Sequence, residues 1–202
     1  MADDPAYIKN LKTLARADPK SANFEALERE MYTSGSDRAT AVLWGSFVET
    51  NLEKYIASKM RPGLNSDDRK QLFDYEGAAG TFASKIIVAY ALAFIGHITR
   101  FDLNLIRLLR NEFAHSRIPF NFESHEVRAV CNQLKLVDLP GSISPFDPFD
   151  RSSRNGMEYA QDMTHPKTRF IYSCHNASYR MHVIREGVSH DRFTDLKDEP
   201  LP

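Results

Sequence analysis

The residues with the most chemical promise sit on one short stretch. They are Arg107 and the run Arg110-Asn111-Glu112-Phe113-Ala114-His115. Arginine offers a planar fork of five donors that suits phosphate. Histidine takes and gives a proton near neutral pH. At a helix C-terminus its cationic form is favoured by the dipole. Two histidines from two chains could serve as base and acid on an RNA 2′-hydroxyl and its leaving oxygen, without metal. The same residues also suit a plainer role. Basic residues in a last turn, with Pro119 just beyond, are ordinary helix-ending chemistry. Spacing leaves both readings of Arg110 and His115 open.

The helix that must carry them is predicted from about Thr99 to Ser116. On a wheel of about 100° per residue with Arg107 at zero, Phe101, Leu105, Ile106, Leu108, Leu109 and Phe113 fill an arc from about 100° to 260°. That arc is the expected core face. Arg107, Arg110, Asn111, Ala114 and His115 fall opposite, between about −60° and +80°. Leu103 shares their side and suggests that a partner covers it. Glu112, near 140°, is expected to point coreward and to need a donor. Arg110 and His115 are five residues apart, about 140° on a straight helix. For both to touch one phosphate, the helix end must unwind or a second subunit must contribute.

Other elements follow from hydrophobic spacing and caps. A short helix is expected over 24–32. The next runs from about Arg38 to Met60, with Ala39, Val42, Leu43, Phe47, Leu52, Tyr55 and Ile56 as its apolar stripe. Trp44 lies off that stripe, as an interface marker or, the better bet, a core residue. Ser66 caps a helix over 67–74, and Gly77-Ala78-Ala79-Gly80 is a turn. Residues 81–96 are apolar nearly all round, which predicts a helix in the bundle centre. Lys85 is its only charge; its readings are an anion contact, a side chain reaching to the surface, or a pair with Glu112, and Tyr90 is expected in the core. Further helices are predicted over 124–137 and 167–186. Three divisions result: a polar arm (1–23), a helical bundle (24–137), and a C-terminal loop, helix and polar tail packed on or beside it (138–202).

Composition narrows the function classes. Of 202 residues, 26 are Lys or Arg and 27 Asp or Glu, a net charge of −1. No global basic field draws nucleic acid or membrane. Two cysteines, Cys131 and Cys174, make neither a disulfide framework nor a zinc-finger spacing. No signal peptide or apolar span is legible, so a cytoplasmic protein without membrane contact is expected. Cys174, His175 and His182 share a predicted helix but lack the further ligands a metal site needs. The Pro-Phe-Asp repeat in 144–150 reads as turn chemistry. No metal or cofactor is implied, and no helix-turn-helix or other sequence-specific DNA-reading motif is present.

Arg-Asn-x-x-x-His at the end of a bundle helix resembles the hallmark of the HEPN superfamily. More narrowly, residues 73–137 resemble the mannitol operon repressor family. The Gly-rich turn, Phe82-Ala83-Ser84-Lys85-Ile86, Tyr90-Ala91-Leu92, Ile106-Arg107 and Arg110 to His115 agree in order and spacing. The resemblance implies an all-α, HEPN-like helical bundle with an added C-terminal loop and helix, and a homodimer with an RNA or protein partner. It implies transcriptional regulation through contacts other than a helix-turn-helix. The alternative it carries is a metal-independent endoribonuclease in which Arg110, Asn111 and His115 are catalytic. In either case the expected binding face comprises Arg107, Arg110, Asn111, His115 and Lys85. Whether the chain is an enzyme stays open at this point.

Overall fold

The computed structural model describes residues 35–139 and 162–185, together with 5, 6, 10 and 11. The chain divides into two compact units, Met1–Gly35 and Ser36–Pro202. The predicted helix over 24–32, the Pro-Phe-Asp repeat and the polar tail lie outside the described residues.

Every regular element described is a helix, as the sequence predicts: α1 Asp37–Lys59, α2 Ser66–Phe73, α3 Phe82–Ala91, α4 His97–His115, α5 His125–Cys131 and α6 Pro166–Arg185. Polar caps set the starts. The Ser36 side chain accepts from the Ala39 amide at 3.3 Å. Asn65, not the expected Ser66, caps α2, accepting from the Asp67 and Asp68 amides, and Thr81 and Ser84 cap each other's backbone. These caps satisfy amides that have no partner within the helix. Helix α1 packs against α6, α4 and α3, and α4 also touches α3, α5 and α6.

The buried stripe of α1 is Ala41, Trp44, Gly45, Val48, Leu52, Tyr55 and Ile56. Trp44 is therefore core, while Leu43 is exposed. Steps of three and four link all seven residues. Counting Ala39, Val42 and Leu43 as inward had pointed the expected stripe too far round the helix.

Two helices are shorter than predicted. Helix α3 stops at Ala91, where the Phe94 amide turns back to the Ala89 carbonyl at 2.8 Å. Ala93 takes the left-handed position (φ 55°) usually given to glycine. Nor is α3 central. It buries Phe82, Lys85, Ile86 and Ala89 but leaves Ile87 60% exposed, with Tyr90 and Leu92 also outward. Tyr90 instead lies under the Arg100 guanidinium, 4.3 Å from its ring centre. Helix α5 stops at Cys131 as the bonding tightens, with the Gln133 and Leu134 amides turning back to the Val130 and Cys131 carbonyls, and the chain then turns its next amides to α4. Lys135 N donates to Asp102 Oδ1 at 2.9 Å, and Leu136 N to Asp102 Oδ2 at 2.8 Å.

Asp102 is 0% exposed and also accepts from the Ser173 hydroxyl at 3.1 Å. One carboxylate thus joins α4, the turn after α5, and α6. Arg169 reinforces the same turn. It pairs with Asp138 at 2.7 Å and donates to the carbonyls of Cys131 and Leu134. At the other end, Asp37 accepts from the Phe122 amide at 3.0 Å and pairs with Lys167 at 2.9 Å. A ladder of rings, Phe120–Phe113–Phe122–Phe170 with centroids 4.6, 5.0 and 5.3 Å apart, runs between these ties.

Burial pushes the Asp102 carboxyl from 3.8 up to about 6, against the lowering effect of its donors and of Arg169. The folded pKa lies above the unfolded one. The protonated acid therefore favours the fold below about 4, and that contribution is lost as pH rises through about 6. Wild type should lose urea stability relative to Asp102→Asn across this window and run parallel to it above pH about 7. Parallel curves throughout would show that Asp102 titrates alike in both states.

Candidate functional site

The rotation of α4 decides what the Arg110–His115 segment can do. Its buried residues are Ile98, Thr99, Asp102, Leu103, Ile106, Leu109 and Phe113. With Arg107 at zero these span about 180° to 320°, some 70° round from the predicted arc. Leu103 is core and does not mark a covered outer face. Phe101 and Leu108 are exposed, and so is Glu112, which points to solvent. Asp102, at about 220°, falls inside both arcs, so its burial does not by itself set the rotation. The difference lies in Leu103 and Thr99, which are buried, and in Phe101 and Leu108, which are not.

With that rotation the predicted binding face divides. Arg110 turns towards α1 and α3, Asn111 and Arg107 are half-buried, and His115 is exposed. The helix stays regular through His115, with Ser116 N donating to the Glu112 carbonyl at 3.0 Å. Just beyond it, Ser116 Oγ bonds the Ile118 backbone, and Arg38 donates to the Ser116 carbonyl at 3.1 Å. The end does not unwind. Arg110 and His115 stay about 140° apart on one chain.

Arg110 and Lys85 do come together, on an acid the sequence reading did not single out. Arg110 Nη2 pairs with Glu49 Oε2. Lys85 Nζ pairs with Glu49 Oε1 at 3.1 Å and with Glu53 Oε2 at 3.0 Å. The partner expected for Lys85, Glu112, is not the one it finds. Lys85 is only 4% exposed, so two carboxylates offset a costly burial. The Phe82 ring lies 5.6 Å from the Arg110 guanidinium carbon. A signal for the acids existed: Glu49 and Glu53 sit four apart on α1, and a lone lysine in an apolar helix needs an anion.

Local sequence explains how Arg110 reaches α1. Gly45 lies mid-helix, where glycine costs about 1 kcal/mol relative to alanine. A Cβ there would lie 2.6 Å from Arg110 Cβ and 2.7 Å from Cγ, so the missing side chain makes room for the arginine stem. The Gly-rich turn ahead of α3 is similarly tight, since a Cβ on Gly80 would lie 2.2 Å from the Asp74 carbonyl oxygen.

The remaining candidates are structural. Both cysteines are free and buried. Burial pushes the Cys131 thiol up to about 12 and raises Cys174 well above the usual thiol range. Neither supplies a thiolate near neutral pH. His175 is buried between Trp44 and Tyr179. Among the described residues no group of three or more His, Cys, Asp or Glu could hold a metal ion, and no helix is long and apolar enough to cross a membrane.

No family model and no curated protein matches the chain. Among solved structures it is similar to a chain in the X-ray structure of the MtlR–HPr complex from Escherichia coli. The TM-score is 0.56 at 17% identity, over 78% of this chain and 96% of that one. The likeness is one of fold.

Gly45→Ala gains helix propensity but forces overpacking, which typically costs about 1–3 kcal/mol. A net loss of about 1 kcal/mol in urea unfolding is expected. An unchanged or higher midpoint would mean that α1 and α4 can separate at no cost.

Proposed function

We propose that this chain is a helical regulatory protein of the mannitol-repressor type that acts by binding a protein partner. The observation that carries the reading is the fold likeness to a chain of the MtlR–HPr complex, which spans nearly all of that chain. The order of the Gly-rich turn, the Lys85 helix and the Arg110–His115 helix supports it. The state of Arg110 agrees, since its guanidinium is engaged by Glu49 within the fold. Regulation by protein contact needs no free arginine. Titration calorimetry with HPr from the same cell should give saturable binding in the micromolar range or tighter. Absence of heat, together with absence of co-migration in gel filtration, would remove HPr as the partner and with it the main support for this reading.

A second reading is favoured by His115, which is exposed at the last turn of α4. With Arg110 holding phosphate and His115 moving protons, two chains paired along α4 would supply a metal-independent ribonuclease centre, Asn111 lining it. It requires Arg110 to exchange Glu49 for phosphate. RNA cleavage in excess chelator should then fall at least about 10²-fold in His115→Ala. Equal cleavage by both proteins would identify a contaminant.

A further inference from the structure

We propose that Glu49 masks Arg110. Its carboxylate holds the place on the guanidinium that a phosphate oxyanion would take, and an incoming phosphodiester must displace it. The inference deepens the ribonuclease reading and rests on its assignment of phosphate to Arg110.

Carboxylate and phosphate present similar paired oxygens to an arginine fork. Each Glu49 oxygen is claimed by one cation, Oε2 by Arg110 and Oε1 by Lys85. The sharing is unequal. Lys85 keeps Glu53 at 3.0 Å if Glu49 leaves, whereas Glu49 is the acid on which Arg110 depends. Lys85 is buried, but the Glu49 and Arg110 side chains keep 21% and 23% of their surface. The pair that must open is therefore the accessible one, and opening it does not strand a buried charge. Charge does not oppose exchange. Glu49 and Glu53 balance Lys85 and Arg110, and Arg107, one turn earlier on α4, adds a positive charge. A phosphodiester carries the same single negative charge as the carboxylate it would displace.

The alternative is that Glu49–Arg110 is only a joint between α1 and α4. The two roles separate in a binding assay. The probe is a short fluorescein-labelled single-stranded RNA, read by anisotropy over a range of salt. Glu49→Gln should bind it roughly tenfold more tightly than wild type. The slope of log K against log salt should steepen by about 0.7, as for one added phosphate contact. Inorganic phosphate should reverse the gain, and Glu49→Gln/Arg110→Met should lack it. Glu53→Gln, which touches Lys85 alone, should bind as wild type does.

No gain in Glu49→Gln, a gain that survives loss of Arg110, or an equal gain in Glu53→Gln would each overturn masking in favour of a joint. If Glu49→Gln does not fold, Glu49→Met takes its place with the same outcomes. The two ideas fail separately. Cleavage by wild type without a gain in Glu49→Gln retains the ribonuclease and removes masking. An Arg110-dependent gain without cleavage does the reverse.

Discussion

The buried carboxylate of Asp102 ties three segments of the chain together. It is wholly buried in the middle of α4, yet two backbone amides and a hydroxyl from two other segments converge on it. An unpaired acid there would be expelled or neutralised. A hydrogen-bonded one becomes an anchor. It holds the turn after α5 by taking the amides of Lys135 and Leu136, and it meets α6 through Ser173. It thereby ties α4 to both segments, on a helix whose roll directs Arg110 at α1 and leaves His115 exposed.

That roll also explains what the sequence made legible. The all-helical class was readable because it depends on local chemistry, although the cap of α2 is Asn65, one residue before the expected Ser66. The break near Gly77–Gly80 and the limits of α1, α2 and α6 were readable for the same reason. The orientation of α4 was not, because Phe101 and Leu103, one residue either side of Asp102, are both apolar and lie equally far round the wheel from it. Periodicity takes Phe101 and Leu108 inward, whereas the fold buries Leu103 and leaves those two exposed. Phe101 lies under Lys135, 5.0 Å from its ammonium, which eases its exposure. A glycine inside α1 and a lone lysine inside α3 were both visible. Their meaning, a close crossing and an ion cluster, required knowing which helices meet.

The candidate site shows why residue types near one another in sequence need not act together. Arg110 and His115 belong to one six-residue run, but a helix that stays regular to its last residue holds them on different sides. Arg110 and Lys85, 25 positions apart by number (110 − 85), share one carboxylate. The chemistry a single chain has assembled is thus cation–carboxylate pairing between α1, α3 and α4. Proton transfer at phosphate needs a second chain and an exchange of partners.

Helix α3 sets a last constraint on function. From Phe82 to Gly96 its segment holds one charge, Lys85, and spends it inward on Glu49 and Glu53. Ile87 and Leu92 are left outward on a surface with no charge of its own. A helix apolar on both sides is ordinarily covered on both. Burying the lysine and exposing the isoleucine is the reverse of what solubility alone would favour. The inward half is accounted for by the ion cluster that holds Arg110. Among the described residues, the outward half is met by Arg100 over the Tyr90 ring, while Ile87 and Leu92 stay exposed.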